Sequence, residues 1–136
     1  MPLVRIDVQK GRTPEELRRL ADTVQDVMLD VFAAPPRDRY QIITEHDDGH
    51  IIAEDAGLGL ERSDAIVIIQ IFQQGRSTRQ KVAAYAELAK RLEAECGVRP
   101  EDLIISVTAN KHADWSFGLG QAQFLNGTLS SSLEQS

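Results

Sequence analysis

The chain has a single cysteine, Cys96. That excludes an internal disulfide and suits a reducing compartment, so the expected location is the cytoplasm. Aromatic residues are scarce, with one Trp, two Tyr and four Phe. Positive charge is also short: 15 Lys and Arg stand against 21 Asp and Glu, leaving a net charge of −6. A nucleic-acid partner is not expected, because affinity for phosphate backbones comes largely from clustered Lys and Arg. No apolar run reaches membrane-spanning length and no charged-then-apolar leader opens the sequence, so no membrane partner is expected either. What is present, 136 residues at 42% hydrophobic content, suffices for one domain with a real core. An acidic surface leaves room for an anionic substrate, since a pocket can carry a local sign opposite to the whole.

An internal repeat organises the chain. Gly11-Arg12-Thr13 recurs as Gly75-Arg76-Ser77, and the same separation of 64 residues relates Pro36 to Pro100, Asp38 to Asp102 and Thr44 to Thr108. Each copy reads as strand, helix, strand. Val4, Ile6 and Val8 alternate with Arg5 and Asp7 as a first strand. Thr13-Pro14-Glu15-Glu16 forms a capping box with proline at the first helical position. Leu17, Leu20, Ala21, Val24, Val27, Met28, Val31 and Phe32 then recur at helical spacing, and the helix must stop before Pro35-Pro36. The stretch RYQIIT closes the first copy as a strand. In the second copy AIVIIQIF is a β-branched run, Ser77 and Gln80 make another capping box, and Val82, Tyr85, Ala89, Leu92 and Cys96 form the apolar stripe. Gly97 serves as the helix C-cap and LIISVT is the last strand.

The expected fold is therefore α/β (α+β): two β-α-β units with right-handed crossovers, forming a four-stranded, mainly parallel sheet with two helices on one face. AIVIIQIF is apolar at nearly every position, which suits a strand buried on both faces. Two helices cover only one face of so small a sheet, so a second copy of the protein is expected on the other. The domain is placed at 1–129, with β-α-β units at 2–46 and 65–109, a connector at 47–64 and a C-terminal pocket segment at 110–129. The connector has room for one short strand, and residues 130–136 are expected to be mobile.

Several candidate sites have plain structural explanations. His46, Asp47, Asp48 and His50 offer metal donors, but the segment has no helical frame, and a polar turn explains it; no metal is expected. Gly57 and Gly59 lack the spacing of a phosphate loop and read as turn glycines. Cys96 reads as a buried, inert thiol on the helix stripe. Trp115, Phe117 and Phe124 are more informative, because three of the few aromatics fall in one glycine-bearing segment. They either pack the core or wall a small-molecule pocket. Arg76 follows a strand and precedes a helix N-cap, where a guanidinium can hold a carboxylate; a solvated turn arginine is the alternative. Asp38 reads locally as a turn aspartate after the two prolines. Pro2 is tolerated at the head of a strand. Removal of Met1 would also give Pro2 a free secondary amine.

These residues together resemble the tautomerase superfamily and, within it, the malonate semialdehyde decarboxylase family. The resemblance is carried by Pro2-Leu3, GRT at 11–13, DRYQ at 38–41, EDAGLG at 54–59, Arg62-Ser63 and DWSFG at 114–118, and it spans residue 2 to about 129. It implies a β-α-β fold assembled as a homotrimer, with active sites near subunit boundaries. It implies a cofactor-independent lyase acting on a small oxo acid, with Pro2, Asp38 and Arg76 catalytic. Trp115, Phe117, Phe124 and, as a weaker match, Leu129 would form the wall. Where the best-known members carry a first pocket arginine, this chain has Gln74, whose neutral hydrogen bond is roughly half as strong as a charge-assisted one. Arg79, one turn into the helix, is another candidate for reaching the site. The alternatives are a tautomerase or hydratase acting on 2-oxo or enol acids of the phenylpyruvate type, and a trimeric homologue without chemistry.

An unperturbed α-amino group titrates at about 7.7–8.0. Burial and Arg76 would lower the Pro2 amine toward a base, whereas Asp38 would raise it toward a cationic acid. All of this requires a free nitrogen on Pro2. Intact mass of the purified protein is expected to lack Met1; a mass that includes Met1 leaves the nitrogen an amide and removes the catalytic role.

Overall fold

The computed structural model describes residues 2–129; the tail at 130–136 lies outside them. The strands are β1 (Leu3–Gln9), β2 (Tyr40–His46), β3 (Val67–Gln74) and β4 (Leu103–Asn110), and the helices are α1 (Pro14–Val31) and α2 (Thr78–Cys96). They lie in the sheet order β2-β1-β3-β4. Each β-α-β unit contributes one parallel pair, β1 with β2 and β3 with β4. The two units meet through the antiparallel pair β1–β3. The four-stranded mixed sheet with two helices follows the duplicated pattern of the sequence.

Helix starts are set locally. Glu16 N–H donates to Thr13 Oγ1 at 3.1 Å, and Thr13 N–H donates to Glu16 Oε1 at 2.9 Å. Ser77 and Gln80 repeat the same reciprocal pair at 3.1 and 2.9 Å. Each box satisfies two donors that a helix start would otherwise leave open. The end of α1 is equally specific: Ala33 adopts φ 52° and Ala34 N–H reaches back to Met28 O at 3.1 Å. A left-handed residue after a helix is normally glycine, so alanine here accepts strain to turn the chain before the prolines.

The core forms between the helices and one sheet face. Val4, Ile6 and Val8 of β1 and Val67, Ile69 and Ile71 of β3 meet Leu20, Val24, Val27 and Met28 of α1. The second helix differs from the expected stripe. Ala84, Leu88 and Leu92 are buried, whereas Val82 is 58% and Tyr85 37% exposed. Both sets repeat with helical period, but the inward ridge steps by four from Ala84 to Leu92, and Val82 and Tyr85 sit on its flank. The strand expected to be buried on both faces also alternates within one subunit: Gln70 is exposed and Ile68 and Phe72 are half-buried. The helices cover one face only, and Tyr40 and Ile42 stand exposed on β2. Among the described residues, the connector 47–64 contains no strand.

Leu88→Ala is expected to cost about 2–5 kcal/mol, as deletion of a fully buried leucine does. Val82→Asp is expected to stay within about 0.5 kcal/mol of the parent. Chemical denaturation of the two variants checks the phase of α2; the reverse order of costs contradicts it.

Candidate active site

Strand direction gathers the candidate residues. β1 and β2 run parallel with Leu3 beside Tyr40, so Pro2 and Asp38 lie at the starting ends of neighbouring strands. β3 runs the other way, with Leu3 opposite Phe72. One step further sets Pro2 against Gln73, next to Gln74, Gly75 and Arg76. β4 runs with β3 and pairs Asn110 with Gln74, which brings the segment after Asn110 to the same end.

Pro2 is buried. Asp38 is half-buried in the turn after the prolines, where its N–H donates to Pro35 O at 3.0 Å. Its Oδ2 is buried without a hydrogen-bond partner among the described residues. Burial pushes the Asp38 carboxyl above its ordinary value, and the positive amino terminus of the chain pulls less strongly the other way. The neighbouring Arg39 does not neutralise Asp38. Its guanidinium pairs with Asp22 at 2.6 Å and Gln41 at 2.9 Å.

Arg76 is held by backbone carbonyls. Its Nε donates to Phe32 O at 3.0 Å, and its Nη1 donates to Gln74 O at 2.9 Å and Gly75 O at 3.2 Å. Its guanidinium carbon lies 5.9 Å from the Phe32 ring centre. Phe32 O is exposed to this contact because α1 ends there, and helix C-terminal carbonyls attract cations. Burial pushes the guanidinium below its usual value, though an arginine remains charged at neutral pH. Arg76 borders a cleft of about 290 Å³ with Phe32, Ala33, Gly75 and Gln80. Gln74 is 2% exposed, and its Oε1 has no partner among the described residues.

The aromatic residues form one stack. Trp115 and Phe117 lie 5.2 Å apart and nearly parallel, and Phe124 meets Phe117 edge-on at 5.3 Å. Trp115 Nε1 donates to Asn110 Oδ1 at 2.8 Å, which ties the stack to the end of β4. Tyr40 extends it at 5.7 Å from Phe117, and so links the wall to the strand that Asp38 precedes. His112 stacks on Phe124 at 4.3 Å, buried, with Nε2 unpartnered among the described residues. Leu129 is half-buried, and its N–H donates to Gln123 O at 3.1 Å. Tyr40, Gln73 and His112 were not singled out by sequence reasoning. Tyr40 stood inside the quoted DRYQ motif and Gln73 beside Gln74, so position was the available signal.

The opposite end of the sheet is built from the equivalent residues of the repeat, and there they find partners within the fold. Asp102, the counterpart of Asp38, is fully buried and accepts from Ser63 N at 2.6 Å and Ser63 Oγ at 2.5 Å. Arg12, the counterpart of Arg76, donates to Ala65 O at 3.3 Å. A cleft of about 370 Å³ lies there, lined in part by Lys10, Arg12, Glu16 and Cys96, and among the described residues no buried, unpartnered side-chain atom belongs to its lining. Cys96 is half-buried at this cleft, 3.6 Å from Thr23 Oγ1, rather than sealed in the core as expected. His46 pairs with Asp7 at 2.7 Å. Asp55 accepts from Gly57 N and Gly59 N at 3.0 and 2.9 Å, which explains those glycines as a turn.

A duplicated β-α-β sheet with a proline at the head of its first strand defines the tautomerase class, and comparison with known proteins agrees. Tautomerase enzyme family models match residues 2–61 and 38–118. The chain is 46% identical to the probable tautomerase YrdN of Bacillus subtilis strain 168, over 95% of this chain and 100% of that one. A malonate semialdehyde decarboxylase with decarboxylase and hydratase activities matches with 42% identity and a TM-score of 0.90, covering 93% of this chain and 98% of the other. A second malonate semialdehyde decarboxylase, solved in a form inhibited by 3-bromopropiolate, matches at 46% identity and a TM-score of 0.89, covering 94% and 98%. The chain belongs to the tautomerase family.

Because burial raises the Asp38 carboxyl, its ionisation is disfavoured in the folded protein. The sign follows from linkage: stability is full below the ordinary carboxylate range and is lost as pH rises through the raised folded value. Asp38→Asn lacks that loss. Its stability relative to the parent is therefore expected to improve with rising pH across the acid range and then level off. A difference independent of pH contradicts the assignment.

Proposed function

We propose that this protein is a cofactor-independent decarboxylase, resembling malonate semialdehyde decarboxylase, that converts a 3-oxo acid to an aldehyde and carbon dioxide. Its reactive group is the Pro2 nitrogen, freed by removal of Met1. The observation that carries the reading is the meeting of Pro2, Asp38 and Arg76 at one end of the sheet, where Asp38 keeps a buried oxygen unpartnered among the described residues. The resemblance to two malonate semialdehyde decarboxylases at 42% and 46% identity supports the choice of reaction.

The chemistry follows from charge. When the bond between the α-carbon and the carboxylate breaks, its electron pair moves toward the carbonyl. A protonated Pro2 amine hydrogen-bonded to the carbonyl oxygen absorbs that charge; so does the iminium formed when the neutral amine adds to the carbonyl carbon and the carbonyl oxygen leaves as water. Carbon dioxide departs, and the resulting enolate or enamine carbon takes up one proton to give the aldehyde; the iminium route ends with hydrolysis. Arg76 holds the carboxylate, and the breaking bond must lie out of the carbonyl plane to overlap the π system. Asp38 orients Pro2 or activates a water. Trp115, Phe117, Phe124 and Leu129 supply the apolar wall, and sparse water strengthens each electrostatic contact.

Gln74 sits where charge would strengthen carboxylate binding, and Arg76 spends Nε and Nη1 on backbone carbonyls. That observation favours a second reading, a tautomerase or hydratase acting on a 2-oxo or enol acid, for which a looser carboxylate grip suffices. In both readings the protein works as a cytoplasmic homotrimer. Two neighbouring copies cover the sheet face on which Tyr40 and Ile42 stand exposed.

Steady-state rates on malonate semialdehyde and on phenylenolpyruvate separate the readings. A higher kcat/KM on the first is expected, and the reverse order favours the tautomerase. Pro2→Ala should remove most of the activity while the trimer persists in sizing measurements. An unchanged rate ends the proline mechanism, and no activity on any oxo or enol acid leaves a silent homologue.

A further inference from the structure

Five of the six buried side-chain atoms without a hydrogen-bond partner among the described residues lie at the candidate active end: Asp38 Oδ2, Gln73 Oε1 and Nε2, Gln74 Oε1 and His112 Nε2. Gln73 stands out because its whole carboxamide is unpartnered while the residue is 1% exposed. A buried carboxamide in that state is costly, so a partner for it is expected.

Register sets Pro2 beside it. The pairs Val4–Ile71 and Ile6–Ile69 carry buried side chains on the helix-covered face. Pro2 and Gln73 continue that series, one step beyond Leu3–Phe72, so they share the same face. Gln74 belongs to the opposite face by the same alternation. A proline preceded by another residue has no N–H and offers a glutamine oxygen nothing. With Met1 removed, the same nitrogen gains N–H groups, two of them when protonated.

We propose that Gln73 is a positioning residue for the Pro2 nitrogen, its Oε1 accepting a hydrogen bond from the ring N–H that removal of Met1 creates. This inference rests on the catalytic reading of Pro2 given above. The two N–H groups of the protonated ring then have two acceptors, Asp38 Oδ2 and Gln73 Oε1. The donor selects which end of the carboxamide faces the ring. Bonds to the charged form favour protonation, so Gln73 and Asp38 oppose Arg76 in setting the state of the amine. Arg37, Tyr40, Lys111, His112 and Asp114 are further titratable side chains on the segments that meet at this end, and Arg39 is committed to Asp22 and Gln41. Gln73 thus fixes where the amine points and favours the acid form that the hydrogen-bonding route to decarboxylation uses.

The test is the titration of Pro2 in the processed protein labelled with 15N-proline, followed by NMR in the parent, Gln73→Leu and Gln73→Glu. Loss of one hydrogen bond to the amine should lower the midpoint in Gln73→Leu by about half a unit to one unit. The added carboxylate in Gln73→Glu should raise it. In the parent, the Gln73 side-chain carbonyl 13C signal should move with the same midpoint as Pro2, a readout that needs no variant to fold. A merely structural role would lower stability and leave the Pro2 midpoint in place. Unmoved midpoints in folded variants, or a Gln73 signal blind to the Pro2 titration, overturn the assignment of Gln73 alone. A parent protein whose Pro2 nitrogen does not titrate overturns the catalytic reading as well.

Discussion

The antiparallel pairing of β1 with β3 is the contact on which the rest of the structure depends. Each β-α-β unit alone is a parallel pair whose ends are separated by the length of a strand. Joining the two units head to tail through β1 and β3 puts the first residues of one unit beside the last strand residues of the other. Pro2 thereby comes next to Gln73, and Asp38 comes to the end of the sheet that Arg76 occupies. Beyond its backbone ladder, the pairing is stabilised by burial of its side chains: Val4, Ile6, Val8, Val67, Ile69 and Ile71 are all at most 1% exposed. A register slip of one residue would turn these side chains to the other face and separate the candidate residues at once.

Duplication gives the sheet two equivalent ends, and the chain has treated them differently. At one end the connector folds back, and Ser63 supplies both hydrogen bonds that Asp102 receives from it. The connector joins the end of β2 to the start of β3, and so does not supply the other end. Asp38 is left with a buried oxygen, Gln73 with a whole carboxamide and Gln74 with an oxygen. Folded proteins rarely leave such groups unpaired, and an end that does so is arranged for a partner outside the fold. Because Asp102 and Arg12 find partners within the fold, an aspartate and an arginine at matching positions do not imply a second candidate site.

Much of this was legible in the sequence. The 64-residue repeat, the two capping boxes and the β-branched strands specify the elements through local chemistry, and the structure follows them. The phase of α2 was not legible, because Val82, Tyr85 and Ala89 have the same helical period as Ala84, Leu88 and Leu92. Only contact with α1 and the sheet decides which ridge turns inward. The site was legible in part: Arg76, Asp38 and the aromatics could be named as candidates from residue type, but their meeting depends on strand direction. Gln73 was invisible for a related reason. A glutamine near a strand end looks solvent-facing until its neighbours bury it. Tyr40 looked like a strand residue until Phe117 stacked on it.

The proposed chemistry therefore depends on one nitrogen in one place. It is most directly tested by comparing the decarboxylation rate of the same chain with Met1 still attached and with Met1 removed, both folded and at equal concentration. Malonate semialdehyde turnover is expected to be absent while Pro2 is an amide and to appear when the methionine is released. Equal rates in the two forms would contradict it.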